Sequence, residues 1–314
     1  MGKKKKKKNA EMNEAVPAVD PVDIPDFIEP FRVKPSQKKE KLSNFDPGYK
    51  GDGLKKKEAR AILDQGLDLL FSYQDRLYAE NTDALLVILQ ARDAAGKDSS
   101  IKHVMRGLNP QGVQVYSFKA PSDEELDHDY LWRSNRALPR RGNIGIFNRS
   151  YYEEVLVVRV HPAILEGQHL PPELKDDGIW DRRYEEINNY EEYLTNQGIH
   201  VVKIFLNVSK EEQRQRFLER IDRPEKNWKF SEADARERAY WDDYTKAYEQ
   251  MLQNTSTAHA PWYVVPADHK WFTRLVVAGI VANKLMEIDP QYPTVSEEHL
   301  ANLAKAREVL VNEE

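Results

Sequence analysis

Ala84-Leu-Leu-Val-Ile-Leu-Gln-Ala-Arg-Asp-Ala-Ala-Gly-Lys-Asp-Ser-Ser-Ile101 decides the fold. A short apolar run ends in a loop of small residues, the loop closes with Gly96-Lys97, and a helical pattern follows. That is the strand–loop–helix order of a phosphate-binding loop. Backbone N–H groups across Ala94, Ala95, Gly96, Asp98 and Ser99, with the start of the next helix, form an anion site. Lys97 adds a point charge. The usual first glycine is Ala91, and the usual Ser or Thr after the lysine is Asp98. Read without function, the stretch is a buried strand and an ordinary turn. Asp93 reads either as a turn aspartate bonded to its own backbone or as a residue that holds Mg²⁺ or orients a phosphate; the second is favoured because a carboxylate aimed at phosphates is costly unless a cation joins it.

Outward from this stretch, strand and helix patterns alternate. Leu54 to Glu80 carries apolar residues at helical spacing, and Leu85 to Gln90 is fully apolar, as inside a parallel sheet. The helix after the loop holds Ile101, Val104, Met105 and Leu108 and stops at Asn109-Pro110. Further strands are expected at Val113 to Phe118, Ile144 to Phe147, His200 to Asn207 and Trp262 to Pro266. Between them, helices are expected from Ser122 through Arg133, over 149–160, over Trp180 to Gln197, from Ser209 to Asp222 and from Ser231 to Gln253. Residues 161–179 read as an inserted loop, and Trp271 to Ile288 as a closing helix. Ser296 to Val311 reads as a C-terminal helical extension with Leu300, Leu303 and Leu310 inward. The alternation predicts an α/β chain: a five-stranded parallel sheet between two helical layers, with ligands beyond the carboxyl ends of the strands.

The loops at those ends hold the candidate chemistry. After the third strand comes Phe147-Asn-Arg-Ser-Tyr-Tyr-Glu-Glu154, where phosphate-loop enzymes place a second metal contact. Asn148 stands there, with Arg149 in reach of the phosphates and Glu153 and Glu154 as nearby charge. Asp93 and Asn148 are the candidate metal residues. Lys102, His103 and Arg106 on the loop helix, Lys119 after the second strand, and Arg133, Arg136, Arg140 and Arg141 suggest a polyanion track. Arg220, Arg223, Lys226 and Lys229 around Trp228 mark a basic lid over about 220–235, able to close over phosphates.

Bulk properties restrict the rest. The 314 residues contain no cysteine, so disulfides and thiolate metal sites are excluded and a cytoplasmic location is expected. No apolar run approaches the about 18 residues that cross a bilayer. The formal charge of −5 argues against nucleic acid as partner. None of the eight histidines shows a zinc spacing. Residues 1–45, opening with Lys3 to Lys8, read as a disordered basic and proline-rich tail, 46–290 as the phosphate-loop domain and 291–314 as the extension.

Seven motifs now stand in one order: Asp-Ala-Ala-Gly-Lys97, Leu-Asn-Pro-Gln-Gly112, Tyr-Leu-Trp-Arg133, Phe-Asn-Arg-Ser150, Val-Leu-Val-Val-Arg-Val-His161, Pro-Glu-Lys-Asn-Trp-Lys-Phe-Ser231 and Thr-Ala-His-Ala-Pro-Trp-Tyr-Val-Val-Pro266. Together they resemble the family-2 polyphosphate kinases, the polyphosphate:nucleotide phosphotransferases, over about residues 45–290. The resemblance implies a three-layer α/β/α phosphate-loop kinase fold with a helical lid. It implies Mg²⁺-dependent phosphoryl transfer between inorganic polyphosphate and AMP, ADP or ATP, with Mn²⁺ as a substitute, by a homo-oligomer (dimer or tetramer). Asp93 and Lys97 then fall in the family's phosphate loop, Asn148 and Arg149 in its second motif, Arg133 among its polyphosphate contacts, and Lys226 and Lys229 in its lid. Many members carry Asp where this chain has Asn148; the Asn-Arg-Ser form resembles the subgroup acting on both AMP and ADP. Residues 162–179 look longer than usual, and Arg223 replaces an expected Asp. Two other functions share the loop: an ATP-dependent nucleotide monophosphate kinase, and a non-catalytic polyanion or RNA binder.

Overall fold

Five parallel strands carry the molecule in a computed structural model that describes residues 23–35 and 40–313. The strands are β1 (Ala84–Ala91), β2 (Val113–Ser117), β3 (Ile144–Asn148), β4 (Ile199–Asn207) and β5 (Trp262–Pro266). Their spatial order is β2-β3-β1-β4-β5, and every pairing is parallel. β1 is buried along its whole length, which explains its unbroken apolar run: a central strand has no face in water.

Helices cover both faces. In chain order they are α1 (Ile24–Ile28), α2 (Lys56–Glu80), α3 (Lys97–Val104), α4 (Asp123–Leu126), α5 (Trp132–Arg136), α6 (Val157–Val160) and α7 (Pro162–Glu166). Then follow α8 (Ile179–Asn196), α9 (Lys210–Asp222), α10 (Glu232–Glu237), α11 (Trp241–Thr255), α12 (Lys270–Ile288) and α13 (Glu297–Val311). One core layer joins α1, α2, α3 and α12 to Leu85, Val87, Ile144, Ile146 and Ile204. The other joins α8, α11 and the 3₁₀ turn Tyr151–Val155 to Leu86, Ile88, Phe147 and Phe205. The chain leaves β1 over the first face to reach β2, and leaves β3 over the second to reach β4. The carboxyl ends of β1 and β3 therefore flank the point where the winding reverses, the natural ligand crevice of such a sheet.

Four expectations are corrected. Part of the tail assigned to residues 1–45 is structured. Ile28, Phe31, Val33 and Leu42 are buried, and the Val33 N–H donates to Trp262 O (2.8 Å) beside β5. A stripe of one helical turn, broken by Pro25 and Pro30, is too short to register as a period, yet Phe27 and Phe31 pack edge-on against Phe272 or each other. Lys3 to Lys8 lie outside the described residues. The single helix from Ser122 to Arg133 is two, α4 and α5, because Asp129 accepts from the Leu131 and Trp132 N–H groups and starts a new turn. The stretch 161–179 is not all loop: it holds α7 and a 3₁₀ turn at Pro172–Leu174. Finally, Leu300, Leu303 and Leu310 on α13 are not inward; each is at least half exposed, since two prolines, Pro290 and Pro293, separate α13 from α12 and no core surface lies beneath it.

Below the site sits a fully buried ion pair. Lys203 Nζ donates to Glu191 Oε2 (2.5 Å), Tyr152 Oη (3.0 Å) and the Thr255 carbonyl (2.6 Å), while Glu191 Oε1 accepts from Tyr151 and Tyr152 (2.8 Å each). Burial pushes the lysine below its ordinary value and Glu191 pulls it back. Both tyrosines follow Asn148-Arg149-Ser150, so the network fixes the turn bearing those residues. Removing one partner strands a buried charge, which typically costs about 3–5 kcal/mol. Glu191→Gln is expected to lower the calorimetric midpoint by roughly 10 °C, and Lys203→Met with Glu191→Leu to restore most of it.

Candidate active site

The phosphate loop departs from the strand at Arg92 and closes at Gly96, with Ala94 (φ 61°) and Gly96 (φ 112°) in the left-handed region. Only glycine adopts the second value freely, which explains Gly96; Ala94 is held there by its neighbours at some cost. The carbonyls of Asp93, Ala94 and Ala95 all point toward α9. Gln213 Nε2 donates to Asp93 O (2.9 Å), and Arg216 Nη1 donates to Ala94 O (2.9 Å) and Ala95 O (2.7 Å). In a planar trans peptide the N–H points opposite its carbonyl. The Ala94 and Gly96 N–H groups are thereby turned to the crevice.

Lys97 folds back over the loop, and its Nζ donates to Ala91 O (3.0 Å). Burial lowers its proton affinity, with Arg149 adding to the effect against Asp93, Glu153 and Asp98. An incoming anion would relieve both. Arg149, itself at φ 62°, donates from Nη2 to Asp93 Oδ1 (2.8 Å) and lies 3.9 Å from Glu153 Oε2. Burial works against its charge, but Glu153 and Asp93 outweigh it and leave Arg149 firmly protonated. Glu153 is raised above the usual carboxylate value by burial, with Arg149 and Lys97 opposing. Gln90, oriented with its nitrogen on the carboxylate, donates to Glu153 Oε1 (2.9 Å). Glu154 faces away, paired with buried Arg183 (3.1 Å), and supplies no charge to the crevice.

Asn148 donates to Asp98 Oδ1 (2.8 Å) and lies 3.4 Å from Ser117 Oγ, while its own Oδ1 is buried without a partner. This orphaned oxygen shares the crevice with the Asp93 and Asp98 carboxylates. Oxygen donors of this kind suit Mg²⁺, which is commonly held by one or two carboxylates plus substrate phosphates. Among the described residues no cluster of three or more His, Cys, Asp or Glu could hold a metal ion.

The crevice encloses about 760 Å³. It is lined by the loop, Lys119, Asn148, Arg149 and, from the lid, Arg220, Lys226, Trp228 and Lys229. A groove sharing Ser117, Phe118, Lys119 and Ala120 continues it to Arg133 and exposed Arg136. Arg133 donates to Lys119 O (2.8 Å), and Arg136 lies over the Trp132 ring (4.7 Å). Other expected cations are elsewhere. Arg106 pairs with Asp64 on α2 (2.6 Å), Lys102 lies outside the crevice lining, and Arg141 binds Thr82 O at the opposite end of the sheet. In the lid, Lys226 bonds Glu219 (2.6 Å), Arg220 lies 3.8 Å from Asp234, and Arg223 is held by Glu219 and Glu225. Trp228 is 78% exposed and packs against nothing larger than its own lid. Sequence reasoning missed Lys270 and Arg274 at the start of α12, which line the crevice, Arg274 donating to Ser99 Oγ (2.8 Å). It also missed Gln213 and Arg216 behind the loop.

The family pattern described as Polyphosphate kinase 2 matches residues 53–293. The chain belongs to the polyphosphate kinase 2 family. The ADP-polyphosphate phosphotransferase of Rhodopseudomonas palustris is 50% identical over 86% of this chain and 92% of its own. The AMP/ADP-polyphosphate phosphotransferase of Meiothermus ruber is 44% identical over 84% and 94%. The crystal structure of Polyphosphate Kinase 2 from Arthrobacter aurescens TC1 superposes with a TM-score of 0.81, at 40% identity over 89% of this chain and 96% of that one. The α/β phosphate-loop fold read from the strand alternation is thus the fold of this polyphosphate kinase 2 family member.

Proposed function

We propose that this enzyme transfers the terminal phosphoryl group of inorganic polyphosphate to a nucleotide phosphate, making ADP from AMP and ATP from ADP. One observation supports it above the rest: the cation-lined groove does not stop at the phosphate loop but runs on past Lys119 and Arg133 to Arg136. A nucleoside triphosphate has no use for that extension; a long polyanion does. The Asn148-Arg149-Ser150 sequence and the relatives' names favour both AMP and ADP as acceptors.

In this mechanism the crevice positions and neutralises rather than forming a covalent intermediate. Lys97 and the Ala94 and Gly96 N–H groups hold the transferring phosphate. Arg149, fixed by Asp93 and Glu153, points charge at the same oxygens. Asp93 and Asn148 Oδ1, with Asp98 beside them, would hold Mg²⁺, or Mn²⁺ in its place, and the bound cation would screen the charge between phosphates. The lid closes water out, with Lys226 exchanging Glu219 for phosphate and Trp228 offering a face to the base.

The test is direct. Purified protein with Mg²⁺ and long-chain polyphosphate should convert AMP and ADP, followed by chromatography of the nucleotides. No product from either acceptor would reject the proposal; turnover with ATP as sole donor would favour a nucleotide monophosphate kinase. Lys226→Ala with Lys229→Ala should lower turnover about 10–100-fold while circular dichroism and melting stay unchanged. We also propose a cytoplasmic homo-oligomer, consistent with the absence of cysteine and checked by fractionation and light scattering. Among the described residues no helix is long and apolar enough to cross a membrane.

A further inference from the structure

Arg216 is set apart by the completeness of its bonding. A guanidinium has five N–H donors, and here five acceptors meet it. Nε donates to Glu212 Oε1 (2.8 Å), Nη1 to Ala94 O and Ala95 O, and Nη2 to Ala267 O (2.6 Å) and Asp268 O (3.1 Å). The residue is 5% exposed. Four of the five acceptors are backbone carbonyls, from the phosphate loop and from the segment between β5 and α12. We propose that Arg216 is the positioning residue of the phosphate loop: by holding the Ala94 and Ala95 carbonyls on one buried cation, it turns the Gly96 N–H to the substrate, while the Ala95 N–H closes the loop on Arg92 O (3.3 Å).

Peptide geometry and charge decide what such a loop presents to an anion. Unrestrained, a short loop of small residues can present either edge of each peptide to the crevice, and carbonyl oxygens repel phosphate. Arg216 binds the carbonyls of two adjacent peptide units, and Gln213, one helical turn earlier, binds the one before them. Ala94 keeps its left-handed backbone because its carbonyl is held there. A lysine cannot replace this, having three donors from one point and no planar fork. The same guanidinium also fixes α9, whose far end carries Arg220 and leads into the lid. The loop and the base of the lid are thus joined through one side chain at the edge of the crevice whose five donors are all taken by acceptors within the protein.

The proposal deepens the functional reading above, so its test has one arm independent of turnover. In wild type, Arg216→Lys and Arg216→Ala, binding of tripolyphosphate in the presence of EDTA is measured by calorimetry, alongside steady-state rates. Arg216→Lys is expected to weaken tripolyphosphate binding and raise KM for polyphosphate by about 10–100-fold, the scale of losing a supporting contact, while KM for the nucleotide moves less than threefold. Guanidinium ion at millimolar concentration should restore binding to Arg216→Ala, an outcome that general loosening of the fold would not give. Should Arg216→Ala not fold, Arg216→Lys carries the test. Tripolyphosphate binding by Arg216→Lys within threefold of wild type, or equal losses for both substrates with no guanidinium rescue, overturns the proposal. Absence of wild-type turnover with intact tripolyphosphate binding would reject the reaction but leave the role of Arg216 standing.

Discussion

Lys97→Ala is expected to lower kcat/KM for polyphosphate on the order of 10²–10³-fold, the loss that follows removal of one donor aimed at developing charge in a dry site. The expected companion result is less obvious: the melting temperature should hold or rise. Lys97 is a half-buried cation that donates to a neutral carbonyl, and desolvation and Arg149 both disfavour its charge. Its ammonium is an expense to the folded state that substrate phosphate offsets, the usual trade between a strained site and stability. Initial rates and scanning calorimetry on the same preparation check both halves. A variant active within threefold of wild type would remove Lys97 from the mechanism. A non-catalytic polyanion binder would instead show a modest loss of affinity and a shallower salt dependence.

Asp93→Asn should separate binding from catalysis. The carboxylate accepts from Arg149 at 2.8 Å and faces Lys97 and the lid's Asp234, whose proton affinity rises through burial and then through Asp93. Taking away that charge leaves the crevice more positive. In EDTA, polyphosphate should therefore bind Asp93→Asn more tightly than wild type. Turnover should fall by about 10²-fold, and the Mg²⁺ concentration for half-maximal rate should rise, because the carboxylate that draws the cation is gone. Tighter ground-state binding with slower chemistry is the signature of an interaction that matters in the transition state. Calorimetry and a Mg²⁺ titration of the rate decide it; weaker binding in EDTA would mean that Asp93 orders the loop rather than the cation.

How much of this was legible depended on whether a signal was local. β1 announced itself because a strand buried on both faces must be apolar throughout, and Gly96-Lys97 because a tight anion loop needs a glycine in a left-handed turn. Asn148 and Arg149 followed from the end of β3. Arg216 was invisible for the opposite reason. On α9 it reads as one more cation four residues after Glu212, and only the tertiary path that brings Ala94, Ala95, Ala267 and Asp268 to its side distinguishes it from Arg214, which pairs with Glu211 in solvent. Lys270 and Arg274 were hidden likewise, at the head of a helix read for its apolar face. Arg106 misled in reverse: expected on the loop helix, it stands two residues past the end of α3, in a turn that carries it to Asp64. The leucines of α13 obeyed the helical period with nothing to bury against, which periodicity alone never reveals.

The groove beyond the phosphate loop ends at Arg136, which is exposed, and not at a wall. Under the proposed reaction, a polymer lying there looks the same to the protein whether ten or several hundred units trail into solvent. The enzyme would then count chain termini, not polymer mass. At a fixed amount of total phosphate, longer chains should appear as poorer substrates simply because fewer ends are present. Rates plotted against the concentration of ends should collapse onto one curve once the chain outreaches Arg136, and the length at which the collapse begins would measure the groove in phosphate units.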